Sequence, residues 1–254
     1  MEKPTTTFDL AAHLASSTPS VPDGRRLRLM VWMFAAIVVC LLAFSWYSIS
    51  VLSAARAYVA GEGLWSKAQK EAVYSLWRYT RFRQESDYDA YLAAVAVALG
   101  DKQARIEMEK AEPDLRLAYE GLLRGRNHPE DIEGMIRLFR NFRTMEPIDR
   151  AIDVWAQADA LMAQLIEVGE RIRADVKSDM LEEGGARQYI DELHRLNLRL
   201  TPLEDEFSHL LGVASRKTET LLLAAMTLTF LVVVATLRSR ASMPSSPRAS
   251  ASRS

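Results

Sequence analysis

Residues that could do chemistry are sparse in this chain, and their spacing limits what they can do. His128 stands in GRNHPEDIEG, beside Asn127 and ahead of Glu130 and Asp131. A metal needs convergent ligands, which one imidazole with carboxylates in a turn does not supply. The competing role is a cap, in which Asn127 or His128 starts a helix opened by Pro129 and the acids favour its N-terminus. His194 and His209 lie too far apart on one predicted helix to share an ion, and His13 stands near the N-terminus.

The cationic residues fall into clusters. Arg137, Arg140 and Arg143 recur every third position with Phe139 and Phe142 between them, and Arg78, Arg81 and Arg83 gather further upstream. A guanidinium fork suits a carboxylate or phosphate, so a pocket between these helices could hold a small anion. The alternative is a solvated face laced to Glu130, Glu133 and Glu146. Trp65, Lys67, Gln69 and Lys70 add a mixed aromatic and cationic patch. The candidate ligand-binding residues are therefore Trp65, Lys67, Lys70, Arg78, Asn127, His128, Arg137 and Arg140.

No catalytic constellation is visible: the chain has no Walker loop, HExxH, nucleophile elbow or kinase signature. The Glu182-Glu183 pair lies at a predicted turn. The expectation is a chain with no enzyme activity, cofactor or metal. Residues 54–218 carry 24 Lys and Arg against 29 Asp and Glu, a balance that does not predict a nucleic-acid partner. The single cysteine, Cys40, excludes an intrachain disulfide.

Two apolar runs must position whatever lies between them. Leu29 to Leu52 is 24 residues without an ionisable side chain other than Cys40 and Tyr47, roughly 36 Å of helix and enough to span a bilayer with some tilt. Leu221 to Leu237 is 17 residues, roughly 25 Å, which needs the turn at 218–220 or a thinned bilayer. Arg25, Arg26 and Arg28 precede the first run and Arg238 and Arg240 follow the second, so the positive-inside rule puts both termini in the cytoplasm. A cleavable signal peptide competes, because Ala55 and Ala57 loosely resemble a cleavage site. Its apolar core of about 7 to 15 residues is far shorter than this run, and Arg56 stands between the alanines. The predicted organisation is a disordered leader over 1–28 with at most one short helix near Phe8 to Leu14, a span over 29–53, and an outer domain over 54–218. A second span covers 219–237 and a short tail 238–254.

The outer domain reads as all-α, with no sustained period-2 pattern. Trp65, Ala68, Ala72, Leu76 and Tyr79 continue the first span as a helix despite Gly61 and Gly63. Asp87 can cap a second helix that stops at Gly100, with Asp101 capping a new one over Lys102 to Lys110. Short helices are predicted at Asp114 to Leu123 and Pro129 to Phe142. A long one follows from Pro147 to Met180, its heptad-like repeat interrupted by Asp159, and Gly184-Gly185 makes the reversal. The last helix carries Tyr189, Leu193, Leu196, Leu200, Leu203, Phe207, Leu210 and Ala214 in alternating steps of four and three. Pro202 should kink it, as a hinge that relays motion or as a fixed bend. Short turns then make an up-and-down helical bundle, four-helix-bundle-like with extra short helices and flanked by two transmembrane helices. The long seam from Tyr189 to Ala214 predicts a parallel homodimer.

The strings GEGLWSKAQKEAVYSLWRY (Gly61 to Tyr79), LGDKQARIEMEK (Leu99 to Lys110) and GRNHPEDIEGMIRLFRNF (Gly125 to Phe142) resemble the N-terminal input region of proteobacterial diguanylate cyclases and cyclic-di-GMP phosphodiesterases, with sensor histidine kinases a related possibility. The resemblance covers roughly residues 25–237. It implies a helical periplasmic domain in the bacterial inner membrane that senses a small-molecule or envelope signal and relays it through the second span to a cytoplasmic output domain. The chain departs from that pattern after Leu237, where RSRASMPSSPRASASRS is too short and too poor in core-forming residues for such a domain. The expectation is an input module whose output domain was removed by a frameshift or early stop, testable by translating the downstream nucleotides in three frames. The alternative is a membrane-anchored helical scaffold that pairs with another receptor.

Overall fold

The computed structural model describes residues 24–241; the leader with its Phe8 to Leu14 helix, and the tail beyond 241, lie outside the described residues. Among the described residues the fold is all-α, with six helices and no strand. They are α1 (Gly24–Phe82), α2 (Glu85–Glu109), α3 (Leu115–Arg124), α4 (Pro129–Phe142), α5 (Ile148–Lys177) and α6 (Glu183–Ala241). The described residues divide into two compact units, 24–44 with 232–241, and Ser45–Leu231.

Val31–Phe82 and Glu183–Ala235 are long and apolar enough to cross a membrane. Trp32, Phe34, Val39 and Leu42 on the first, and Leu228, Phe230 and Leu231 on the second, are exposed, as side chains that meet lipid would be. Cys40 is also exposed.

Within Ser45–Leu231 the helices build an up-and-down bundle around two apolar clusters. In the first, Ala72, Leu76 and Tyr79 of α1 meet Tyr91, Val95 and Ala98 of α2, Leu161, Leu165, Val168 and Ile172 of α5, and Leu193, Leu196 and Leu200 of α6. These residues recur at three- and four-residue steps, which places them on one stripe of each helix. In the second cluster, α3 and α4 supply Ala118, Leu122, Ile132, Met135, Ile136 and Phe139, packed on Ala104 and Met108 of α2 and Trp155 of α5. The α4 set falls at i, i+3, i+4 and i+7, so a helix of 14 residues buries its whole apolar face. Asp114 caps α3 by accepting from the backbone N–H of Arg116 and Leu117 at 2.9 and 3.2 Å.

Two predictions need correction. The helix expected to stop at Gly100 runs on to Glu109. Gly100 is where α2 meets α3: a Cβ there would stand 2.6 Å from the Gly121 carbonyl, and one on Gly121 would stand 2.6 Å from the Gly100 carbonyl. The glycine serves a close helix crossing, and Asp101 turns inward instead of capping. The reversal before α6 is made by Ser178 to Glu182, with Asp179 in the left-handed region at φ 58°; Gly184 and Gly185 fall in the first turn of α6. The seam on α6 is spent inside its own bundle, since Leu193, Leu196 and Leu200 are core and Leu203 and Phe207 pack against the two clusters.

Pro202 stands exposed within α6, which continues through it. Asp159, the break in the α5 repeat, is buried and accepts from Arg105 Nε at 3.0 Å and Nη2 at 2.7 Å; Arg105 also reaches Glu109 at 2.7 Å. At the far end, Arg83 donates to the Leu181 carbonyl at 2.5 Å, tying the α1–α2 turn to the α5–α6 turn.

Candidate functional site

Three acidic residues, Glu62, Asp101 and Glu204, line one small cavity within the bundle. Its volume is about 30 Å³, and every long helix of the bundle lines it, together with Leu122 of α3, Met135 of α4 and Asn127 between them. A pocket of that size admits water-sized groups. Four aromatic residues line it, Tyr58, Trp65, Trp155 and Phe207, together with the acidic residues Glu62, Asp101 and Glu204. Trp155 and Phe207 pack at a 5.9 Å centroid distance. The Tyr58 hydroxyl donates to the Met135 carbonyl at 3.1 Å.

Asp101 is buried against the α3–α4 turn. A Cβ on Gly125 would collide with its carboxyl, so the glycine leaves it room. Asn127 Nδ2 donates to Asp101 Oδ1 at 3.3 Å and to the Leu122 carbonyl at 3.0 Å. Burial pushes the Asp101 carboxyl up to about 8, because a carboxylate is poorly solvated there; the Asn127 hydrogen bond opposes this only in part, and nearby Asp159 adds to the rise. The group is therefore protonated at neutral pH.

Glu204 is 5% exposed. Its Oε2 accepts from Ser66 Oγ at 2.8 Å and from Lys70 Nζ at 2.7 Å, whereas its Oε1 has no partner. Trp65 is 8% exposed, and its Nε1–H likewise has no partner. The unpaired acceptor and the unpaired donor thus belong to two residues that line the same cavity. Leaving each buried and unpaired costs about 1–3 kcal/mol, which a bound group would recover.

Of the residues singled out from sequence, Trp65 and Asn127 line this cavity, and Lys70 stands at its edge through Glu204. Lys67 is exposed in a shallow outer groove with Glu62, Ser66 and Tyr74. Arg78 lies further along α1, paired with Asp87 at 2.8 Å and stacked near the Tyr74 and Phe82 rings. His128 caps α4, its Nδ1 accepting from the Glu130 N–H at 3.3 Å. Arg137 and Arg140 are exposed, Arg137 lining a groove with Ser50 and Asn141, and Arg143 donates to the Met108 and Glu109 carbonyls at 3.2 and 2.6 Å. Tyr58, Glu62, Asp101, Trp155, Glu204 and Phe207 were not singled out from sequence. A charged residue in a core register was the available signal: Glu204 follows Leu193, Leu196 and Leu200 on the buried stripe of α6.

A second cavity of about 60 Å³ shares Tyr58, Trp155 and Phe207 with the first and is otherwise lined mostly by apolar side chains, including Val51, Leu138, Ile148 and Leu211. Among the described residues no group of three or more His, Cys, Asp or Glu is placed to hold a metal. No family model matches the chain, and neither a curated protein nor a solved structure matches it.

Proposed function

We propose that this chain is a signal-input module of a bacterial inner-membrane signal-transduction protein, with the helical bundle outside and both termini in the cytoplasm. The observation that carries the reading is the shared use of two helices. Tyr58, Glu62 and Trp65 on α1, and Leu203, Glu204 and Phe207 on α6, line the cavity, and these same helices carry the two membrane-length apolar stretches. Filling the cavity therefore bears on both helices at once. Such coupling requires the signal to bind one arrangement of the bundle better than another. Pro202, two residues before Glu204, supplies a hinge at that point, since α6 lacks one intrahelical hydrogen bond there. The resemblance to diguanylate cyclase and phosphodiesterase input regions supports an output partner of that kind.

A scaffold role is the second reading, and one surface favours it. Tyr74, Trp77 and Phe82 are exposed on α1, Tyr74 stacked on Trp77 at 6.2 Å and Trp77 edge-on to Phe82 at 6.3 Å, with the Arg78 guanidinium near two of the rings. Aromatic residues and arginine are enriched where proteins dock.

Thermal unfolding of the full chain in nonionic detergent, screened against a metabolite library, tests the two. Reproducible stabilisation by one chemical class is expected for an input module. No stabilisation by any class, with tight binding to a partner bundle that Trp77→Ala abolishes, overturns it in favour of the scaffold.

A further inference from the structure

We infer that the cavity between α1, α2, α5 and α6 takes a small protonated amine that also carries a hydroxyl, the ammonium donating to Glu204 Oε1 and the hydroxyl accepting from Trp65 Nε1. The inference rests on the input-module reading and names its ligand class.

The two unpaired atoms define complementary needs. Glu204 Oε1 is a carboxylate oxygen in a residue that is 5% exposed, so it calls for a donor, and a charged donor meets it best. Trp65 Nε1–H can only donate, so it calls for an oxygen acceptor. The lining repeats the preference for positive charge. Tyr58, Trp155 and Phe207 present aromatic rings, which attract cations electrostatically, and Glu62 adds a further carboxyl. Lys70 is the cation nearest this lining by its contacts; it is exposed and engaged by Glu204 Oε2 and Ser66. An anion would meet the Glu204 carboxyl, and the Tyr58 hydroxyl and Asn127 amide that could donate to it are already spent on the Met135 and Leu122 carbonyls. A neutral diol would satisfy the donor and acceptor but draw nothing from the rings. The volume of about 30 Å³ restricts the ligand to a few heavy atoms.

Ethanolamine is the probe, applied to the full chain in nonionic detergent at fixed ionic strength. Propylamine, ethylene glycol and acetate are its controls. Ethanolamine is expected to raise the thermal midpoint saturably, propylamine to bind about fivefold more weakly, and glycol and acetate to have no effect. Glu204→Gln keeps the shape and should weaken ethanolamine at least tenfold. Trp65→Phe should bring ethanolamine and propylamine to equal affinity, a change in preference that a loss of stability would not produce. Glycol binding as well as ethanolamine, or no effect of ethanolamine on a folded wild-type chain, overturns the assignment. If another chemical class in the metabolite library stabilises the chain, only the ligand class has failed. If none does, the input-module reading fails with it.

Discussion

Replacing Asp101 by asparagine should make the protein more stable at neutral pH, although it alters a buried, hydrogen-bonded residue. The carboxyl lies at about 8 in the folded chain against an ordinary 3.8. Between those values the folded state keeps a proton that the unfolded state has released. Stability is therefore fully present below about pH 4 and falls as pH rises, by up to about 1.4 kcal/mol per unit, levelling off above about pH 8. At pH 7 some three units of that fall have accumulated, on the order of 4 kcal/mol. Asparagine matches the protonated acid in shape and carries no charge, so Asp101→Asn should be spared it. Urea unfolding of the full chain in nonionic detergent, followed by tryptophan fluorescence at pH 5, 6, 7 and 8, gives the two curves. They should already differ by about 1.6 kcal/mol at pH 5 and diverge steadily toward pH 8, the variant above. Parallel curves, or a variant less stable than wild type at pH 8, refute the claim that Asp101 is held protonated.

The same unfolding assay checks three further substitutions at pH 7. Leu165→Ala empties a position that is 0% exposed in the first apolar cluster and should cost about 2–5 kcal/mol; a loss below 1 kcal/mol would mean that the bundle closes around the gap. Gly121→Ala places a methyl group 2.6 Å from the Gly100 carbonyl. Separating α2 from α3 should cost about 1–3 kcal/mol, more than alanine's helix preference of about 1 kcal/mol returns, and net stabilisation would contradict the close crossing. Arg126→Gly relieves a non-glycine residue at φ 65° beyond the end of α3 and should gain about 1 kcal/mol; no gain would mean that the arginine side chain matters more than its backbone strain.

Most of the helical framework was readable because its signals are local. The α4 bounds follow from Pro129 and the steps between Ile132, Ile136 and Phe139, and the core of α6 from Leu193, Leu196 and Leu200. Gly100-Asp101 misled because the same two residues suit a helix stop and a close helix crossing, and the choice between them lies with Gly121 and Gly125 in another helix and its following turn. The cavity was harder to see for a related reason. Each long helix contributes only a few residues to it, among them Tyr58, Asp101, Trp155 and Glu204, and nothing local joins them. Asp101 read as a cap, and Glu204 was one acid within a polar stretch. Their shared environment arises only when α1 and α6 lie side by side.

The hydrogen bond from Ser66 to Glu204 joins residues 138 positions apart. At about 5–20 residues per second of synthesis, roughly 7 to 28 s separate the appearance of Ser66 from that of Glu204. Through that interval the nascent α1 can fold back on α2, but Trp65, Gln69 and Lys70 have no α6 to meet. The cavity is therefore among the last features to assemble, and a ribosome-bound intermediate carries its aromatic wall uncovered. A folding factor that shields this stretch, or slow synthesis after α5, would act on the parts of the bundle that wait for α6, the cavity and the first apolar cluster alike.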